Sequence, residues 1–159
     1  MKSLKCLLSL VLLAGISYAQ DKNSTETTDI KGLIESRRFE FAAQSANPLR
    51  GRTINLSSGY TFTVTPDTVI SYLPYYGRAY QATLDPDDAG IKFTSIDFTY
   101  SVKERKKGGW EINVKPKDVK NSPNVNLSIS ANGYASVHVI STDKQAISFR
   151  GVIKNAVKK

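Results

Sequence analysis

From Arg38 onward the apolar residues of this chain recur at every second position, and that period decides the fold class. Phe39, Phe41 and Ala43 alternate with Arg38, Glu40 and Gln44, and Tyr60, Phe62 and Val64 alternate with Thr61, Thr63 and Thr65. Ile96, Phe98, Tyr100 and Val102 alternate with Asp97, Thr99, Ser101 and Lys103, as do Trp110, Ile112 and Val114 with Glu111, Asn113 and Lys115. Successive side chains of a strand point to opposite faces, so each run predicts a strand with one buried and one wet face. Ile91 and Phe93 have the opposite parity to Ile96 and Phe98, which predicts a bulge or break near Thr94 and Ser95.

The last strands can be placed in register. A two-residue Asn132-Gly133 turn would set Leu127 opposite His138 and mix core with surface. A three-residue loop, Ala131-Asn132-Gly133 with Gly133 left-handed, pairs Val125 with Val139, Leu127 with Val137 and Ile129 with Ala135. The apolar pattern selects this second register. Continuing across residues 141–145 sets Ile147 opposite Val139 and Phe149 opposite Val137. His138 then faces solvent with Tyr134 and Ser136 and reads as a polar surface residue.

Ahead of the strands, Ile30, Leu33 and Ile34 stand at i, i+3 and i+4, with Thr25, Thr27 or Thr28 available as N-cap. That spacing predicts one short helix of about two to three turns. The expected architecture is mainly β. It is a single antiparallel domain over residues 30–159 with about eight strands, a sandwich or half-barrel, and one short N-terminal helix. A chain of 159 residues suits one domain, and no internal repeat is evident.

The start of the chain reads as an address. Lys2 and Lys5 precede an apolar run from Leu7 to Ile16, and Ser17 and Ala19 are small residues at the two positions a signal peptidase reads. This pattern predicts a cleavable secretory signal over residues 1–19, cut after Ala19. The run is shorter than the roughly 20 apolar residues that span a bilayer. Cys6 lies before the run rather than after it, so it is misplaced for a lipoprotein. Residues 20–29 are polar and read as a flexible arm. Cleavage takes the length from 159 to 140 and the net charge from +8 to +6, and it removes the single cysteine. The expected location is periplasmic or secreted, with no disulfide and no transmembrane segment.

The segment that breaks the alternation is Tyr72–Tyr80, where Tyr72, Tyr75, Tyr76 and Tyr80 are interleaved with Pro74, Gly77 and Arg78. The irregular stretch reads as Leu73 to Gly90, longer than the roughly 12–15 residues beyond which loops are uncommon and often functional. Tyrosines offer flat contact area with a hydroxyl tip, and arginine adds a forked planar donor. The loop therefore suits a sugar ring, a peptide backbone or an anionic group. The alternative is that the tyrosines cap an open end of the sheet. Ser45–Arg52 reads as a turn in which Arg50 and Arg52 could hold an anion, or as a solvated crossover. Asp85–Gly90 has acids at the first and third positions and Gly at the sixth, as in a calcium loop. It lacks the remaining ligands and reads as a polar turn.

Lys103–Gly109 is a basic hairpin loop that serves solubility, acidic glycans or lipid head groups; export argues against nucleic acid. There is no Walker loop, GxSxG or HExxH, and no acid pair is singled out by spacing. One His and one Cys leave no material for a metal cluster. No catalytic residue, metal site or cofactor is expected.

Several blocks occur together in a family-like order: Arg38–Phe41, Asn47–Gly51, Tyr72–Tyr80, Gly90–Phe93, Gly133–Ser136 and Gln145–Gly151. In these the chain resembles domain of unknown function family 4251, a family of secreted Bacteroidetes proteins, over roughly residues 30–155. The resemblance implies a bacterial, exported protein without an assigned activity, so no site residue is carried over. Many members are lipoproteins, and the lack of a correctly placed cysteine here points to the periplasm. A bacterial source also leaves the sequons at Asn23, Asn55 and Asn126 unused, and Asp67-Thr68-Val69 matches a short bacterial O-glycosylation motif.

The expected function is a non-enzymatic exported β module. It would bind a small molecule, glycan or envelope protein through Tyr72, Tyr75, Tyr76, Arg78 and Tyr80, with Arg50 and Arg52 as further candidates. The alternatives are a structural or assembly protein of the cell envelope and a glycan-acting hydrolase. The hydrolase would need two carboxyl groups about 5–9.5 Å apart.

Overall fold

The computed structural model describes residues 29–80, 90–121 and 123–156. Helix α1 (Ile30–Glu35) is followed by ten strands: β1 (Phe39–Pro48), β2 (Ile54–Asn55), β3 (Thr61–Val64), β4 (Val69–Leu73), β5 (Ile91–Ser95), β6 (Phe98–Glu104), β7 (Trp110–Pro116), β8 (Asn124–Ile129), β9 (Tyr134–Ile140) and β10 (Ile147–Asn155). All ten belong to one antiparallel sheet, in the order β5-β4-β3-β1-β10-β9-β8-β7-β6, with β2 pairing beside β1. The sheet is curled into a nearly closed barrel, which is the mainly β, single-helix architecture the alternation predicts.

The predicted hairpin register is the observed one. Val125 pairs with Val139, Leu127 with Val137 and Ile129 with Ala135. Ile147 then pairs with Val139 and Phe149 with Val137. Gly133 closes the three-residue loop at φ +84°, a left-handed position that disfavours any side chain. These residues, with Phe39, Phe41, Phe62, Val64, Val69, Leu73, Ile112, Val114 and Ile153, are buried inside the curl.

Several expectations need correction. Val69–Leu73 forms β4, so Tyr72 and Leu73 belong to a strand and the irregular stretch begins at Pro74. The two-residue β2 is a further addition to the eight expected strands. Strand β1 continues through Ser45–Pro48, because a bulge between Ala43 and Ser45 shifts its parity and turns Ala46 inward. Only Leu49–Gly51 forms the turn beyond it. The break between β5 and β6 falls at Ile96–Asp97, later than predicted, and Ile96 is 76% exposed rather than buried. Val102, at the far end of the edge strand β6, is also exposed. Helix α1 has six residues, shorter than predicted, and its N-cap is Asp29, whose carboxylate accepts from Gly32 N at 3.0 Å. The 1–19 segment, most of the polar arm and Asp85–Ala89 lie outside the described residues.

Helix α1 covers one end of the barrel. Ile30 and Ile34 are buried there, and Arg37 lies over the Tyr100 ring with its guanidinium carbon 4.8 Å from the centroid. The Tyr100 hydroxyl is buried with no hydrogen-bond partner among the described residues, and burial pushes its pKa up to about 12.

The two edge strands, β5 and β6, are consecutive in sequence and joined only through Ile96 and Asp97. Asp118 holds that corner. It accepts the buried Ser95 hydroxyl, Ile96 N at 2.8 Å and Asp97 N at 3.2 Å. Lys117 N donates to Asp97 O at 2.8 Å. The Ser95 hydrogen bond first, then the Ile96 amide, hold the Asp118 carboxyl below its ordinary pKa.

A Cβ at Gly151 would run into the Ala42 carbonyl and lie 3.0 Å from Phe41 Cε2, in the tight pairing of β1 with β10. Gly151→Ala should therefore lower stability in urea unfolding by about 1–3 kcal/mol, as overpacking does. Because the folded pKa of Asp118 lies below its unfolded value, its contribution is full above the unfolded pKa and is lost as pH falls through the folded one. Asp118→Asn should unfold at a lower temperature than the wild type at neutral pH, with the gap narrowing on acidification below the ordinary carboxylate range. A gap that stays constant with pH would show that the charge at the corner contributes nothing.

Candidate functional site

At the end of β9 away from α1, the chain leaves a cavity of about 370 Å³ between the start of β5, the β7–β8 connection and the β9–β10 connection. Ile91, Phe93, Pro123 and Val139 supply apolar wall, and Lys92, Lys120, Asp143 and Lys144 supply charge. Asp143 is buried, with its carboxylate 3.9 Å from Lys144 Nζ. The same ammonium donates to Gly90 O at 2.8 Å.

The tyrosine segment stands against this cavity. Tyr72 points outward from β4, stacks on Tyr60 at 6.0 Å between centroids and carries Lys92 Nζ 5.2 Å above its ring. Tyr75 is half-buried against the core under Lys144 Nζ, 5.5 Å from its centroid. Its hydroxyl faces two carbonyls, donating to Arg78 O at 2.8 Å with Gln145 O at 3.2 Å. Burial raises the Tyr75 pKa, against the lowering effect of the Gln145 contact. The backbone repeats the tie: Tyr80 N donates to Asp143 O at 2.7 Å and Gln145 N to Arg78 O at 3.1 Å.

The segment thus divides into two sets. Tyr75 and Tyr76 are half-buried and pack against the core, whereas Tyr72, Arg78 and Tyr80 are exposed, Tyr80 at 62%. The two lysines that lie over Tyr72 and Tyr75 both line the cavity, so the tyrosines and the cavity form one region. Arg50 and Arg52 are exposed in and beside the turn after β1, and neither lines this cavity. Sequence reasoning missed Lys92, Asp143 and Lys144. Nothing local marks them, because it is the strand pairing that brings residues 90–93 and 141–145 to one end.

The constellation brings together apolar wall, aromatic faces and cations. Among the described residues no three His, Cys, Asp or Glu side chains come together in a way that would hold a metal ion. No helix among them is long and apolar enough to cross a membrane.

The fold has a solved counterpart. The crystal structure of a DUF4251 family protein from Bacteroides eggerthii superposes with a TM-score of 0.59 over 80% of this chain and 85% of that one, at 12% identity. At that identity the likeness speaks for the fold alone. No curated protein matches the sequence. The family profile described as a domain of unknown function, DUF4251, matches residues 21–153, and the chain belongs to that family.

Proposed function

We propose that this protein is an exported, non-enzymatic β module that binds a ligand or envelope partner at the open end of its barrel. The observation that carries this reading is the pinning of the tyrosine segment by Tyr75. Its hydroxyl and the backbone bonds to Asp143 and Gln145 fix the loop beside the cavity, while Arg78 and Tyr80 are left exposed at its rim. An arrangement fixed before binding loses less conformational freedom when a partner arrives. Export rests on the basic start, apolar run and Ser17-Tyr18-Ala19 of the first nineteen residues. A binding role rather than catalysis is supported by the cavity's chemistry. Asp143 is its one carboxylate among the described lining residues, and it sits beside Lys144.

A second reading, a structural or assembly protein, is favoured by the packing of Tyr75 and Tyr76 on the core. One experiment separates the two. Arg78→Ala with Tyr80→Ala alters exposed groups only and should change stability by no more than about 0.5 kcal/mol each. Tyr75→Phe, which removes the loop's hydroxyl tie, should cost about 1 kcal/mol. Native mass spectrometry of protein isolated from its own host's periplasm should show a discrete adduct that the double variant loses. An adduct retained by that variant, or a bare monomer in the wild type, would transfer the role to the structural reading. Recovery of the protein only from the cytoplasm would sink the export claim.

A further inference from the structure

The outer face of β6 to β10 takes no part in the reading above. Strand alternation and register line up Ser101, Asn113, Asn126, His138 and Ser148 as one lateral row across five adjacent strands. Two of the four steps along the row are hydrogen-bonded. Asn113 Nδ2 donates to Asn126 Oδ1 at 2.7 Å and to Asn124 Oδ1 at 2.6 Å, and His138 Nδ1 lies 2.8 Å from Ser148 Oγ. The next row runs Lys103, Glu111, Ser128, Ser136, Arg150. Depressions of about 380 and 300 Å³ lie over these rows and share Ser128 and Ser136, so they form one groove across the strands.

Two guanidiniums line the second depression. Arg105, from the β6–β7 turn, donates through Nη1 to Ser128 Oγ at 2.7 Å, and its Nε lies 3.9 Å from Glu111. Arg150 comes from the other side and forms no ion pair among the described residues. Strands are about 4.8 Å apart, so Ser128 and Arg150 stand about 10 Å from each other with the Ser136 hydroxyl between them. An anionic group resting on Ser136 would meet both forks. With Lys103 included, the groove holds three cations against Glu111. Tyr134, 63% exposed, adds a flat ring at the end of the depression.

The chemistry selects one kind of ligand. Forked guanidiniums match planar carboxylates. Rows of amides and hydroxyls, each able to donate and accept, match the hydroxyls of a sugar ring. Five strands span about 19 Å, more than a free anion or a single sugar needs. We propose that this groove binds an acidic oligosaccharide, with a uronate carboxylate between Arg105 and Arg150 and ring hydroxyls along Asn113, Asn126 and His138. Arg150 on β10 stands three strands along the sheet from Tyr72 on β4, and neither depression shares a lining residue with the barrel-end cavity, so the site is independent of the barrel-end reading.

Calorimetric titration of the purified protein with tetragalacturonate tests this, with maltotetraose and a tetraglutamate peptide as comparators. Tetragalacturonate should bind saturably and more weakly as salt rises, and each comparator should bind at least about tenfold less tightly. Arg105→Gln and Arg150→Gln should each weaken tetragalacturonate by about tenfold without moving the thermal transition, and Asn126→Ala should weaken it further. The proposal falls if tetragalacturonate gives no saturable heat, or if the peptide binds equally well. It also falls if binding is lost in Arg78→Ala/Tyr80→Ala and kept in both arginine variants.

Discussion

A sheet of ten strands has two free edges, and here chain order places both on consecutive strands joined through Ile96 and Asp97. That short link allows the first edge to lie no farther than one corner from the last, so the whole sheet must curl. Antiparallel strands already twist in one sense, and the corner converts the twist into near closure. Asp118 supplies what such a corner lacks, acceptors for the Ser95 hydroxyl and for two backbone amides that have turned out of the ladder. The enclosed apolar face, the helix at one end and the open cavity at the other all depend on it.

Closure also explains how one tyrosine-rich segment comes to hold two kinds of residue. Tyr75 and Tyr76 fall where the chain crosses the barrel end and are drawn onto the core, while Arg78 and Tyr80 lie past that crossing and stay wet. The tyrosine hydroxyl matters here, because a half-buried ring ending in a donor sets one proton against two carbonyls, Arg78 O within the segment and Gln145 O across from it. Outside the barrel the same alternation that fills the core sets polar side chains in lateral rows. On that outer face Asn113 is bonded to Asn124 and Asn126, and His138 to Ser148.

Most of the strand pattern was legible from alternation, and its exceptions have two causes, buried polar residues and a bulge. Val69, Ser71 and Leu73 all face inward, but the polar Ser71 interrupts the apolar signal and hides β4. Its hydroxyl is satisfied by Ile91 O at 2.6 Å, across to β5, and so it is tolerated in the core. Ser95 conceals the end of β5 in the same way through Asp118. The bulge after Ala43 put Ala46 out of phase, so the end of β1 read as a turn. Of the candidate site, the aromatic segment was visible as composition. Its division into packed and exposed residues was not, and neither were the lysines that face it, because those contacts join positions far apart in the chain.

The sequence by itself determined which face of each regular strand is buried, the register of the β8–β9–β10 meander and the outward direction of His138. Those properties follow from period two and from turn length, which act over a few residues. Tertiary structure alone decided that the sheet closes, that Asp118 is the residue at its corner and that Lys92 and Lys144 lie over Tyr72 and Tyr75. It also decided that Arg105 and Arg150, 45 positions apart in the chain, line one depression. Each of these depends on the strand order of the sheet, which sets neighbours by closure and pairing rather than by distance along the chain.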